Sequence, residues 1–300
     1  MKRPELVVAG GTAVVTGAAG GMGEHIAKGL ARRGADLVVL DRDEVGLGRV
    51  VADIARETPG AALASHVVDL ADRGATDRVI ARVRDAHPGV TMLFNNAGVA
   101  VGGRFVDVSA QDFDWLLEIN LLAPIRFTRA LLPVMLDNGE GQVVNTSSLF
   151  GLIGPPGQSA YSTSKFGLRG FSESLRSELD AEEQPVGVTS VHPGGIRTNI
   201  ARSARLAAGG DVAEAERARK AFDKVLKYPA DKAAEEIIEA AIHRRPRLLI
   251  GNDARALDAM ARLSPSRYWS VMSRGMALAA RTKKSRAGEG GSRAPATMGP

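Results

Sequence analysis

From residue 12 to residue 250 the sequence alternates short β-branched runs with longer stretches patterned as helices, and this alternation is its strongest constraint on the fold. Thr12–Thr16 (TAVVT), Leu37–Leu40 (LVVL), Leu63–Val68, Met92–Phe94, Gln142–Asn145 (QVVN), Gly187–Val191 and Leu248–Ile250 have strand character. Between them, Met22–Arg33, Glu44–Glu57, Gly74–Ala86, Ala110–Asn138, Ser159–Glu183 and Asp231–Arg244 carry apolar residues at helical spacing. The alternation predicts βαβ units, hence an α/β chain with a doubly wound parallel β-sheet flanked by helices. The strand runs lack polar alternation, as a sheet covered on both faces requires. Pro124 and Pro133 are expected to kink or split the long 110–138 helix, because proline removes a helical N–H.

Thr16–Gly23 reads TGAAGGMG, directly after the first strand and opening the first helix. Gly17, Gly21 and Gly23 let the backbone approach a ligand without a Cβ in the way. The helix behind them aims free N–H groups at a pyrophosphate. No P-loop motif is present, which disfavours an NTPase. Asp41 closes the second strand, eighteen residues beyond Gly23. A carboxylate there accepts the adenosine ribose hydroxyls of NAD and repels the 2′-phosphate of NADP. Its bland alternative is a cap on helix Glu44–Glu57. Arg42 follows and is able to pair with a 2′-phosphate, so NAD is the preference and NADP stays open. Asp69 and Leu70, at the end of the third strand, are expected beside the adenine.

Tyr161 and Lys165 lie four apart in YSTSK and so share one helix face. A lysine ammonium is expected to stabilise the phenolate and pull the tyrosine pKa down, making the pair a general acid/base at neutral pH. This motif stands in order with TGAAGGMG (16–23), NNAG (95–98), Asn120 in EINLL, Ser148 in NTSS and HPGGIRT (192–198). The set resembles the short-chain dehydrogenase/reductase family in its single-domain branch.

The resemblance implies a Rossmann-type sheet and an NAD(P)-dependent oxidoreductase that interconverts an alcohol and a ketone or aldehyde. In it Tyr161 moves the proton, and Lys165 lowers the tyrosine pKa and holds the nicotinamide ribose. Ser148, rather than Ser147, hydrogen-bonds the substrate oxygen, and Asn120 holds a water on the proton path. Asn96, Ala97 and Gly98 would line the adenosine side, Pro193, Gly194 and Ile196 the nicotinamide, and Thr198 would reach its carboxamide or the phosphates. Met22 stands where the family more often has isoleucine. No metal is implied. The resemblance also implies a homodimer or homotetramer built partly from helices 110–138 and 159–183.

Other residues have bland readings. His25, His66, His87 and His243 form no metal spacing, and His192 is expected to be a local hydrogen-bonding residue rather than a base. Substrate selection is expected in residues 149–158 and 198–230; Arg197 and Arg202 have two readings, attraction of an anionic substrate or, preferred, solvated surface cations.

The organisation expected is a catalytic NAD(P)-binding domain over 1–251 with a lid at about 198–230, a C-terminal helical extension over 252–282 and a disordered tail over 283–300. Net charge is +5, yet residues 251–300 alone carry +6 and the body −1. Basicity thus belongs to the C-terminal segment and does not argue for nucleic acid. There Arg267, Arg274 and Arg281 recur every seven residues, Tyr268 and Trp269 stand side by side, and Met272, Met276 and Ala280 form an apolar stripe. Such a helix packs on the body or on a sister subunit, or it lies on an anionic membrane, which would suit a lipophilic substrate. Cysteine is absent and no signal-peptide core is visible, so a cytoplasmic location is expected, membrane-peripheral if that helix binds lipid. The competing classes are a catalytically silent cofactor sensor and a membrane-associated scaffold. A silent sensor is expected to lose Tyr161 or Lys165, and both are present.

Overall fold

The first apolar run forms β1 (Thr12–Thr16), and all five of its residues are buried. Ala13 and Val15 join one apolar cluster and Val14 the other, so the strand is covered on both faces. β2 (Asp36–Asp41) repeats the pattern, with Leu37 and Val39 on the first face and Val38 and Leu40 on the second. This is the physical reason that these runs show no polar alternation. The structure, a computed structural model, describes residues 3–198, 200, 203–207, 226–270, 272 and 273.

The remaining strands of the sheet are β3 (Leu63–Val67), β4 (Val90–Asn95), β6 (Gly141–Thr146), β7 (Val186–Pro193) and β9 (Arg247–Ile250). All pair in parallel, in the order β3-β2-β1-β4-β6-β7-β9. Helices α1 (Gly21–Arg32), α2 (Glu44–Glu57) and α7 (Ala230–Ile242) supply apolar residues to one face. Helices α3 (Arg73–Ala86), α5 (Ala123–Asp137) and α6 (Ser159–Ala181) supply them to the other. A second ladder, which the sequence patterning does not announce, pairs β5 (Val101–Gly102) with β8 (Arg205–Leu206).

The expected break in the 110–138 helix is present, but its form differs. α4 (Ala110–Leu117) passes into a π-helical turn at Glu118–Leu122 and then into α5. Pro124 sits in the first turn of α5, where its missing N–H is tolerated. Pro133 lies inside α5 without dividing it. Both Pro133 and Arg129, whose carbonyl loses its donor, are exposed, so water is at hand for that carbonyl. By length and composition alone, Ala110–Asp137 would cross a membrane. Here Phe127, Leu131 and Met135 of α5 are buried in the core instead.

By its contacts the chain divides into Met1–Leu257 and Asp258–Pro300. Helix α8 (Asn252–Leu263) ends within the second unit, where Arg262 pairs with Asp258 at 3.0 Å one turn away. Most of the expected lid falls outside the described residues, as do Arg202, Arg274, Met276, Ala280, Arg281 and the 283–300 tail.

Candidate active site

The glycine turn joins β1 to α1 at the carboxyl edge of the sheet, where strand order reverses between β1 and β4. Ligands of doubly wound sheets bind in that crevice. Gly17 and Gly21 have φ of +69° and +56°, a region that L side chains avoid. A Cβ on Gly23 would stand 2.0 Å from the Gly17 carbonyl oxygen. α1 begins without a side-chain cap, whereas Asp43 and Asp72 cap α2 and α3. The first N–H groups of α1 are thus left for a ligand.

The groove encloses about 330 Å³. It is lined by Gly17, Gly21, Met22, Asp41, Arg42, Asp69, Leu70, Asn96, Ala97, Gly98 and Thr198. Thr198 closes on the glycine turn, its Cγ2 3.3 Å from where a Cβ of Gly21 would be. Gly23 supports the turn from behind. Pro193 and Ile196 are buried, Ile196 within the apolar core, and Gly194 is half-buried.

Asp41 does not cap α2; Asp43 does so, accepting from Gly46 N at 3.0 Å. The Asp41 carboxylate instead accepts from Ala19 N at 2.9 Å and Asp43 N at 3.0 Å, which holds it at the groove wall. Nearby, Arg49 donates to both oxygens of Glu24, at 2.9 and 2.7 Å. That pairing holds the Glu24 carboxyl down to about 2. Asn96 donates to the carbonyls of Thr16 and Gly17, at 3.2 and 3.3 Å, and so braces the turn. Thr16, the first residue of the glycine motif, to which the sequence assigns no role of its own, accepts from the N–H groups of Asn96 and Ala97 at 3.1 Å each.

The second half of the site stands where Gly98 meets α6. A Cβ on Gly98 would lie 3.4 Å from Lys165 Nζ and 3.5 Å from Asn120 Oδ1. Lys165 is 2% exposed and donates to the Thr146 carbonyl at 2.9 Å. Its ammonium is 5.7 Å from the centre of the Tyr161 ring. Tyr161 shares a hydrogen bond with Ser148 and meets the edge of Phe150 at 6.1 Å. Ser147 turns away and donates to the Lys165 carbonyl at 2.8 Å, so its role is to tie β6 to α6. In the segment after Ser148, Leu149, Leu152 and Ile153 pack inward, and Phe150 borders Tyr161.

Asn120 occupies the π-helical turn and is fully buried. Its side chain accepts from Val99 N at 2.8 Å and donates to Val99 O at 2.9 Å and Ser164 Oγ at 3.2 Å.

The electrostatics correct one expectation. Burial pushes the Tyr161 phenol up to about 12, against a smaller lowering by Ser148, and pushes Lys165 down to about 8. For both groups the loss of solvation is the largest effect. Two further polar groups are given no role by the sequence. Asn95 donates to Asn145 Oδ1 at 2.8 Å across adjacent strands. Asp253 in α8 accepts from Gly195 N at 2.7 Å, anchoring the loop after β7.

A short chain dehydrogenase family model matches residues 11–209. The chain belongs to the short-chain dehydrogenase family. The oxidoreductase SadH of Mycobacterium tuberculosis is 36% identical over 273 residues, covering 89% of this chain and 96% of SadH. A short-chain dehydrogenase/reductase from Burkholderia phymatum, solved in complex with NAD, aligns with a TM-score of 0.77 at 28% identity, over 86% of this chain and 94% of that one. A short-chain dehydrogenase from Sphingobium yanoikuyae, solved with NADPH, aligns with a TM-score of 0.68 at 25% identity, over 96% and 98%. This is a family of oxidoreductases, and these two solved neighbours hold one dinucleotide each, of either kind.

Proposed function

We propose that the chain interconverts a secondary alcohol and a ketone, or an alcohol and an aldehyde, with NAD(H) as the preferred cofactor. The observation that carries this reading is the meeting of Tyr161, Ser148 and Lys165 beside Gly98 at the wall of the dinucleotide groove. When bound, the nicotinamide supplies or accepts the hydride. Tyr161 gives the substrate oxygen its proton, or takes it, and the Ser148 hydroxyl holds that oxygen in place. Lys165 holds positive charge near the phenol. Asn120, buried in the π-helical turn, holds a water on the proton path. The surroundings of Tyr161 include the apolar Phe150, which suits a lipophilic alcohol or ketone.

The NAD preference rests on the Asp41 carboxylate, with Asp43 and Asp69 also lining the groove. Arg42 is the single cation among the described lining residues. Asp41→Ala is expected to shift the NADP-to-NAD ratio of kcat/KM by about tenfold toward NADP, equivalent to removing about 1.4 kcal/mol of discrimination. Steady-state kinetics with both cofactors measures it; an unchanged ratio removes Asp41 as the selector.

The pKa values set the pH dependence. Oxidation needs the Tyr161 phenolate to take the alcohol's proton, and a phenol titrating near 12 is ionised more as pH rises. Oxidation kcat/KM should therefore climb with pH through neutrality. Reduction should be flat below about 8 and fall above it, as Lys165 loses its charge. An oxidation profile that falls from neutral to alkaline pH contradicts this assignment.

Assembly into a homodimer or homotetramer through α5 and α6 is supported by Leu122 and Phe166, each 41% exposed on or beside these helices. The membrane-peripheral reading concerns a segment mostly outside the described residues.

A further inference from the structure

His192 lies near the end of β7, beside β6, and is fully buried. Its Nδ1 stands 3.2 Å from the Ser148 carbonyl oxygen and its Nε2 3.1 Å from Ser190 Oγ. A carbonyl oxygen only accepts, so Nδ1 carries the hydrogen and Nε2 accepts from the Ser190 hydroxyl. The Ser148 carbonyl also accepts from Gly151 N at 3.0 Å, and Ser148 Oγ accepts from Phe150 N at 3.1 Å. The residue that presents a hydroxyl to Tyr161 is thus held on its carbonyl side by a second strand.

We infer that His192 is a positioning residue that acts through the Ser148 carbonyl to fix the direction of the Ser148 hydroxyl. The inference rests on the reading of Ser148 as a catalytic residue. Burial keeps the imidazole neutral, pushing its pKa down to about 4 against the raising effect of the Ser148 carbonyl. Arg247 and Arg169 lower it further, and Glu173 opposes them. The tautomer that donates to Ser148 therefore persists across the working pH range.

The test is a double-mutant cycle of His192→Leu with Ser148→Ala, with His192→Asn as the conservative variant. His192→Leu should lower kcat about tenfold, the scale of one lost hydrogen bond in a buried site. KM for NAD and the NADH dissociation constant, read by fluorescence titration, should be unchanged. His192→Asn, which retains a donor near Nδ1, should restore most of kcat. In the Ser148→Ala background, His192→Leu should cost nothing further. Wild-type kcat in His192→Leu, or the same fold-loss in both backgrounds, overturns the inference while leaving the catalytic reading intact. Wild-type kcat in Ser148→Ala overturns both. If His192→Leu does not fold, Ser190→Ala is read instead. It releases Nε2 and should lower kcat with cofactor affinity unchanged; an unaltered kcat there overturns the inference.

Discussion

Tyr161→Phe should lower kcat by at least about a hundredfold, the lower end of what a positioned general acid/base contributes. The substitution removes one oxygen and keeps the ring, so the edge contact with Phe150 at 6.1 Å survives. Ser148 loses a hydrogen-bond partner but keeps the Phe150 N–H that orients its Oγ. The groove residues from Gly17 to Thr198 are untouched, so NADH affinity should hold. Nicotinamide absorbance across a panel of alcohols and ketones gives the rate, and fluorescence titration gives the affinity. Comparable turnover in the two proteins would refute the role given to the phenol.

Lys165→Met should do two things at once: lower kcat by about a hundredfold or more and make the fold more stable. The ordinary lysine value of 10.5 falls to about 8 through burial. At 1.36 kcal/mol per unit, holding this ammonium in the fold costs about 3 kcal/mol at neutral pH. Methionine keeps the apolar stem but leaves the Thr146 carbonyl without its charged donor, a loss of about 2 kcal/mol. The net gain is about 1 kcal/mol. Between about 8 and 10.5 the unfolded chain binds more protons at this position than the folded one, so wild-type stability gains from Lys165 as pH rises through that window. The methionine variant lacks this gain. Thermal unfolding of both proteins at neutral pH and near pH 10.5 measures it. A lower midpoint for the variant at neutral pH contradicts the burial cost.

The sheet and its helices are legible because each central strand buries both faces, which imprints an unbroken apolar run between amphipathic stretches. The glycine turn is legible because positive φ and close backbone approach exclude side chains at Gly17, Gly21 and Gly23. The π-helical turn is not, because a five-residue turn is too short to imprint its own periodicity, and the bonds of Asn120 there go to Val99 across the fold. The β5–β8 ladder is two residues per strand, too short to leave a periodicity. Spacing places Tyr161 and Lys165 on one face, but it carries no information on burial depth, and burial sets the direction of both pKa shifts. Thr16, Asn95 and Asp253 act by bonding to backbone or to adjacent strands, and local pattern does not report such partners.

The most direct test of hydride transfer beside Tyr161 follows a label. A secondary alcohol carrying deuterium on its carbinol carbon is incubated with NAD and the enzyme, and the reduced cofactor is analysed by mass spectrometry. The expected result is deuterium in the reduced nicotinamide with wild type and at most a trace with Tyr161→Phe. Absence of label across a broad panel of alcohols with either NAD or NADP, or equal labelling by both proteins, would contradict it.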